Sequence, residues 1–244
     1  MRKNADYGGG SLPPGYNAMV STSSTTAFPP TPSTGELPRN APFVILCVTG
    51  PMASGKNAAS AILEKNGFAA VDADKLVHQI LSEPAFQKKV IETFAPYAAE
   101  KHISLTSEDG SLNRRSLGAL IFKDKKLLAK QESLIHPAVN QRIEEFIASH
   151  PSQDIVLNAT VLYKIPAIRR CNAILFVTAP LFTRFSRAKK RDNMKTAQIL
   201  ARFWQQRSLF AKYKISNADI HKVKNTGNLN ALESKINAFL KVCR

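Results

Sequence analysis

The chain has 244 residues, a formal charge of +16 and three cysteines. That length fits one α/β domain, or a core domain with small insertions, and no apolar run approaches the ~20 residues of a membrane-spanning helix. Cys47, Cys171 and Cys243 form no CxxC pair, which argues against a zinc site or a disulfide framework and suits a reducing cytoplasm.

Residues 1–40 hold six prolines, the run Gly8-Gly9-Gly10 and the polar tract Ser21 to Thr26. Such a composition cannot bury enough surface to offset chain entropy, so a disordered N-terminal extension is expected. It has neither the apolar centre of a secretory signal nor the Arg-rich amphipathic face of a transit peptide. From Pro42 onward strands and helices alternate, the pattern of a parallel sheet with crossover helices. Strands are expected at 43–48, 69–71, 154–158, 173–177 and 222–224. Helices are expected at 56–66, 74–81, 84–94, 114–122, 125–134, 138–148, 181–191, 196–206 and 229–240, with Pro84 and Pro137 in first turns. The nearly all-helical stretch 84–150 interrupts the alternation and reads as an insertion.

Phosphate chemistry begins at the first strand. Phe43 to Val48 runs into Gly50-Pro51-Met52-Ala53-Ser54-Gly55-Lys56-Asn57, the layout of a phosphate-binding P-loop. Glycines let successive N–H groups turn inward, Lys56 brings a mobile charge to the β- and γ-phosphates, and the next helix aims its N-terminus at them. Asn57 stands where the motif places the Ser or Thr that holds Mg²⁺. An asparagine oxygen can ligate the same ion, though it is neutral and further out.

Asp72-Ala73-Asp74 follow the second strand, and the carboxyl ends of parallel strands face the ligand crevice. Asp74 is placed to accept the proton of an attacking hydroxyl and Asp72 to orient it or help hold the metal; the other reading of Asp74 is a helix cap. His78 lies one turn beyond Asp74 on the same face. Between Lys164 and Lys214 stand thirteen Lys or Arg and one acid, a net +12. Arg187 and Arg191, four apart on a helix, suit a lid closing over phosphates and excluding water. A nucleic-acid surface is the competing reading of that charge.

Taken together, the residues from about Phe43 onward resemble the dephospho-CoA kinase family. The matches run in order: the P-loop; Val71-Asp72-Ala73-Asp74 with His78; Asp109-Gly110-Ser111-Leu112-Asn113-Arg114-Arg115; Ile135-His136-Pro137; Arg187 with Arg191-Asp192; Arg202 with Gln205; Lys214 with Ala218-Asp219; and Asn225-Thr226-Gly227. The resemblance implies a P-loop kinase-type three-layer α/β fold: a mainly parallel five-stranded sheet with helices on both faces, a helical acceptor-binding insertion at about 84–150 and a basic lid at about 181–208. It implies that ATP meets Gly50, Ala53, Ser54, Gly55, Lys56, Asn57 and Ala58, with Arg191 and Asn225. Asp74, Lys56 and Arg187 are implied to be catalytic. Asp72, Asp74, His78, Arg114, Arg115 and His136 are implied to face the acceptor, and Asn57 to meet Mg²⁺.

The expected partners are ATP and dephospho-CoA, with neither nucleic acid nor membrane, on a monomer or weak homo-oligomer in the cytoplasm. Alternatives are a catalytically weakened P-loop module that binds nucleotide or nucleic acid, or a kinase of another small hydroxyl acceptor such as a nucleoside monophosphate. The chain departs from the family where Gly is usual at Pro51 and Ala53, and Ser-Thr at Asn57-Ala58. It departs again at Thr160-Val161-Leu162-Tyr163-Lys164, where PLLFE is usual.

Overall fold

The computed structural model describes residues 43–122, 124–192, 196–214 and 218–243, without the side chains of residues 191, 192 and 243. The expected N-terminal extension therefore lies outside the described residues. Five strands form one wholly parallel sheet: β1 (Ile45–Thr49), β2 (Ala69–Asp72), β3 (Ile155–Asn158), β4 (Ala173–Thr178) and β5 (Asp219–Lys224), in the order β2-β3-β1-β4-β5. The helices are α1 (Lys56–Lys65), α2 (Ala73–Ile80), α3 (Pro84–Glu100), α4 (Arg114–Ile121), α5 (Lys125–Ala148), α6 (Leu181–Asp192), α7 (Thr196–Gln205), α8 (Leu209–Tyr213) and α9 (Leu229–Cys243).

Every residue of β1 is buried, because helices cover both sheet faces and a strand in that position needs no polar side. Its residues alternate between two cores. Ile45 and Cys47 join Leu157, Phe176, Val139, Ile143 and Tyr213 on one face. Leu46 and Val48 join Val156, Leu175, Ile62, Leu63 and Ile236 on the other. A third apolar cluster, with Val90, Phe94, Leu112, Leu117 and Leu127, packs α3, α4 and the start of α5 together. Cys47 and Cys171 are buried free thiols. No described helix is long and apolar enough to cross a membrane.

The structure differs from the expected elements in several places, among them the short helix α8, which was not expected. β1 starts at Ile45 rather than Phe43, because the Val44 and Ile45 N–H groups donate to the side chains of Asp154 and Asn172 instead of to a strand. β5 extends back to Asp219; as an edge strand it buries only Val223, so no alternation announces it. The expected helices 125–134 and 138–148 are one helix, α5, with Pro137 inside it rather than in a first turn. An interior proline removes a hydrogen bond and costs about 3 kcal/mol. The row Gln131, Ile135, Val139, Ile143 and Ile147, all buried at four-residue spacing, offsets this, since each buried Ile or Val is worth about 1.5–3 kcal/mol. α3 continues through Pro96 in the same way, burying Phe94 and Ala98 on either side. Pro84 does stand in the first turn of α3.

Candidate active site

The site lies where β1, β2 and β3 end side by side. Register pairs Val48 with Asn158 and Asp72 with Asn158, so the end of β3 separates the P-loop from the two aspartates. Leaving β1, the chain turns tightly, with Ser54 N–H donating to the Pro51 carbonyl at 3.1 Å. Ala53 holds the turn at φ 59°, a left-handed conformation that costs a residue with a Cβ about 1–2 kcal/mol. A Cβ on Gly50 would meet the Val177 carbonyl oxygen at 2.2 Å, so only glycine fits there.

Helices α2, α4 and α5 are capped by Asp72, Asn113 and Asp124, whereas the Gly55 cap of α1 offers no side chain. The first amides of α1 are thus left for an anion. Gly55 sits at φ 100°, and a Cβ there would lie 2.1 Å from Asn225 Nδ2. Asn225 is buried and donates to the Ser54 carbonyl at 2.9 Å. Gly55→Ala is therefore expected to lower stability by about 1–3 kcal/mol through backbone strain and displacement of Asn225. A thermal midpoint equal to the parent's would show that this packing does not matter.

Lys56 crosses the gap to the aspartates. Its Nζ donates to Asp74 Oδ2 at 2.8 Å and to Asn158 Oδ1 at 3.2 Å. Asp74 also accepts from Thr160 Oγ1 at 3.0 Å and, more weakly, from Thr160 N–H at 3.4 Å. The cap of α2 is Asp72, whose Oδ1 accepts from Lys75 N–H at 3.1 Å, so Asp74 is not needed as the cap. The Lys56 side chain is 16% exposed and that of Asp74 42%: the lysine is enclosed while the carboxylate stays open to an incoming group.

Two cavities meet at Gly55 and Arg187. One, of about 330 Å³, is lined by Gly55, Ala58, Arg187, Asn225, Asn228 and Leu232 among others. The second, of about 490 Å³, is lined by Ala53, Gly55, Arg187 and Lys190. The turn is therefore open beside Gly55 and Arg187. Arg187 Nη1 reaches the Ser54 carbonyl at 3.5 Å. Arg191 lies in α6, but its side chain is outside the described residues.

A model of the dephospho-CoA kinase family matches residues 44–230. The chain belongs to the dephospho-CoA kinase family. A dephospho-CoA kinase of Treponema denticola is 35% identical over 197 residues, which is 79% of this chain and 87% of that protein. One from Treponema pallidum is 32% identical over 80% of this chain and 93% of its own. The crystal structure of TT1252 from Thermus thermophilus superposes with a TM-score of 0.67 at 26% identity, covering 82% of this chain and 97% of that one.

The remaining residues expected from the dephospho-CoA kinase resemblance are more dispersed. Arg114 Nη2 donates to the His78 carbonyl at 3.3 Å and to Ser82 Oγ, tying α4 to α2. Arg115 is exposed on α4. His136, half-buried on α5, is held below the usual imidazole range by burial, with Lys164 acting the same way and Glu132 opposing. Lys164, the last residue of the stretch Thr160 to Lys164, pairs with Glu132, so its charge has a partner.

Several residues at the site were given no role there from the sequence. Asn158 and Thr160 hold Lys56 and Asp74; that Asn158 closes an apolar strand was the available signal. Arg184, buried on α6, donates Nε–H to the Met52 carbonyl at 2.9 Å and stacks on Phe203 with 4.1 Å to the ring centroid. Gln206 reaches the loop, its Oε1 accepting from Met52 N–H at 2.7 Å. Tyr213, wholly buried, donates its hydroxyl to the Thr160 carbonyl at 3.2 Å and accepts from Leu162 N–H at 3.0 Å. Burial pushes its phenol up, which keeps the donating proton in place.

Asn57 Oδ1 is a hard oxygen beside the P-loop lysine and suits Mg²⁺ in kind. No cluster of three or more His, Cys, Asp or Glu able to hold a metal occurs among the described residues.

Proposed function

We infer that this protein transfers the γ-phosphoryl group of ATP to the ribose 3′-hydroxyl of dephospho-CoA, giving coenzyme A and ADP. Family membership supports the reaction. The 2.8 Å contact between Lys56 and Asp74 carries the assignment of roles, because it joins the phosphate-binding lysine to an accessible carboxylate at one point.

In this reading the triphosphate lies along Gly50, Ala53, Ser54, Gly55 and the amides of Lys56, Asn57 and Ala58. Its base enters the cavity beside Asn225. The 3′-hydroxyl approaches Asp74, which takes its proton as the bond from that oxygen to the γ-phosphorus forms. The bond from phosphorus to the β–γ bridging oxygen breaks, and the charge left on ADP falls to Lys56 and Arg187, with Arg191 as the second lid arginine. Asp72 orients the start of α2, while His78 on α2, with Arg114, Arg115 and His136 within residues 84–150, lines the acceptor side. Residues 181–208 act as the lid. Mg²⁺, held by Asn57 Oδ1, would draw charge from the β- and γ-phosphates.

The test is ADP release coupled to an indicator, with dephospho-CoA and a panel of nucleoside monophosphates as acceptors. Release should depend on dephospho-CoA and be matched by coenzyme A. Faster turnover with a nucleoside monophosphate, or none with dephospho-CoA, would overturn the reading.

A further inference from the structure

Asn158 is buried at the end of β3, and both polar ends of its side chain are engaged. Oδ1 accepts from Lys56 Nζ at 3.2 Å; Nδ2 donates to Asn57 Oδ1 at 3.1 Å and lies 3.4 Å from Asp72 Oδ2. Because an ammonium can only donate, the Lys56 contact fixes which end of the amide is oxygen. P-loop enzymes hold their divalent cation with a hydroxyl at the position of Asn57 and a strand-end aspartate nearby. Here a strand-end amide donates to the amide oxygen at position 57, occupying one of its two acceptor sites, while its own oxygen is taken by Lys56. Of the carboxylates close by, Asp72 caps α2 through Oδ1, and Asp74 accepts from Lys56 and Thr160. Cationic groups, in contrast, are close to the phosphate cavity, with Arg187 and Lys190 on its wall.

We propose that the Asn57–Asn158 amide pair uncouples nucleotide binding from the divalent cation. Lys56, Arg187, Lys190 and the free amides of α1 hold the triphosphate, and at the P-loop and the end of β3 the metal meets a neutral amide oxygen, Asn57 Oδ1, in place of a hydroxyl and a carboxylate. This rests on the ATP site described above. Affinity for a cation follows the charge of its ligands, so a site of amides gains little when the cation arrives.

Calorimetric binding of a non-hydrolysable ATP analogue, once in EDTA and once in Mg²⁺, tests this without turnover. The two Kd values should agree within about fivefold, or about 1 kcal/mol. Asn158→Asp places a carboxylate against the phosphates, weakening metal-free binding and giving the cation an anionic ligand. Its preference for Mg²⁺ should exceed that of the parent by about tenfold or more. Asn57→Ser frees Asn158 and restores a hydroxyl, and should shift the preference the same way if Asn158→Asp does not fold. Tightening of the parent by Mg²⁺ beyond about fivefold, or variants with the parent's ratio, would overturn the proposal. Absence of nucleotide binding in both conditions removes the ATP site and this inference with it. Binding without phosphoryl transfer to dephospho-CoA leaves the inference standing and overturns only the assigned reaction.

Discussion

Asp74→Asn is expected to bind both substrates yet release ADP about 10²–10⁴-fold more slowly than the parent. The amide is nearly isosteric, so Thr160 and Lys56 keep an oxygen to donate to, but it has no basic lone pair for the acceptor's proton. Stability should hardly change. The Asp74 carboxylate is 42% exposed, and an ion pair so placed contributes little once solvent screening is counted. A fall in kcat with an unaltered thermal midpoint thus separates chemistry from folding. Turnover equal to the parent's would take Asp74 out of the mechanism.

Lys56→Met should cost about 10²–10³-fold in kcat, the usual loss when one preorganised donor is removed from a transferring group. Methionine keeps much of the stem and its packing but removes the charge, so ATP should also bind more weakly. The enclosed position of Lys56, with 16% of its side chain exposed, means that water cannot easily replace it beside Asp74 and Asn158. Since Lys56 and Asp74 touch, the double variant should lose far less than the product of the two single losses. Strictly multiplicative losses would mean that the contact is incidental to catalysis.

Much of this site could be read without coordinates because its parts are local. The turn from Gly50 to Lys56 and the pair Asp72 and Asp74 each follow an apolar run, and short-range patterns reveal both. What sequence alone does not reveal is lateral order. Strand β3 inserts between β1 and β2, so Lys56 at the start of α1 and Asp74 on α2 meet across the end of that strand. That insertion also makes Asn158 and Thr160 part of the site. Both are more than eighty residues from the aspartates in the chain, so no local spacing links them. Gln206 was missed for another reason: one residue turns a helix by about 100°, so the choice between adjacent glutamines depends on packing at the end of α7. Pro137 misled in the opposite way, as a strong local stop signal overridden by a row of buried side chains.

Tyr213 has a consequence for how genetic data on this protein should be interpreted. Its hydroxyl grips the strand-to-turn junction that carries Thr160, and through Thr160 it steadies the carboxylate of Asp74, although it stands 53 positions away from Thr160 in the chain. Its ring packs edge-on to Tyr163 and Phe176. A mutational screen scored on coenzyme A supply would rank this interior phenol beside the residues that touch the reacting atoms, although it lies in the core beneath them.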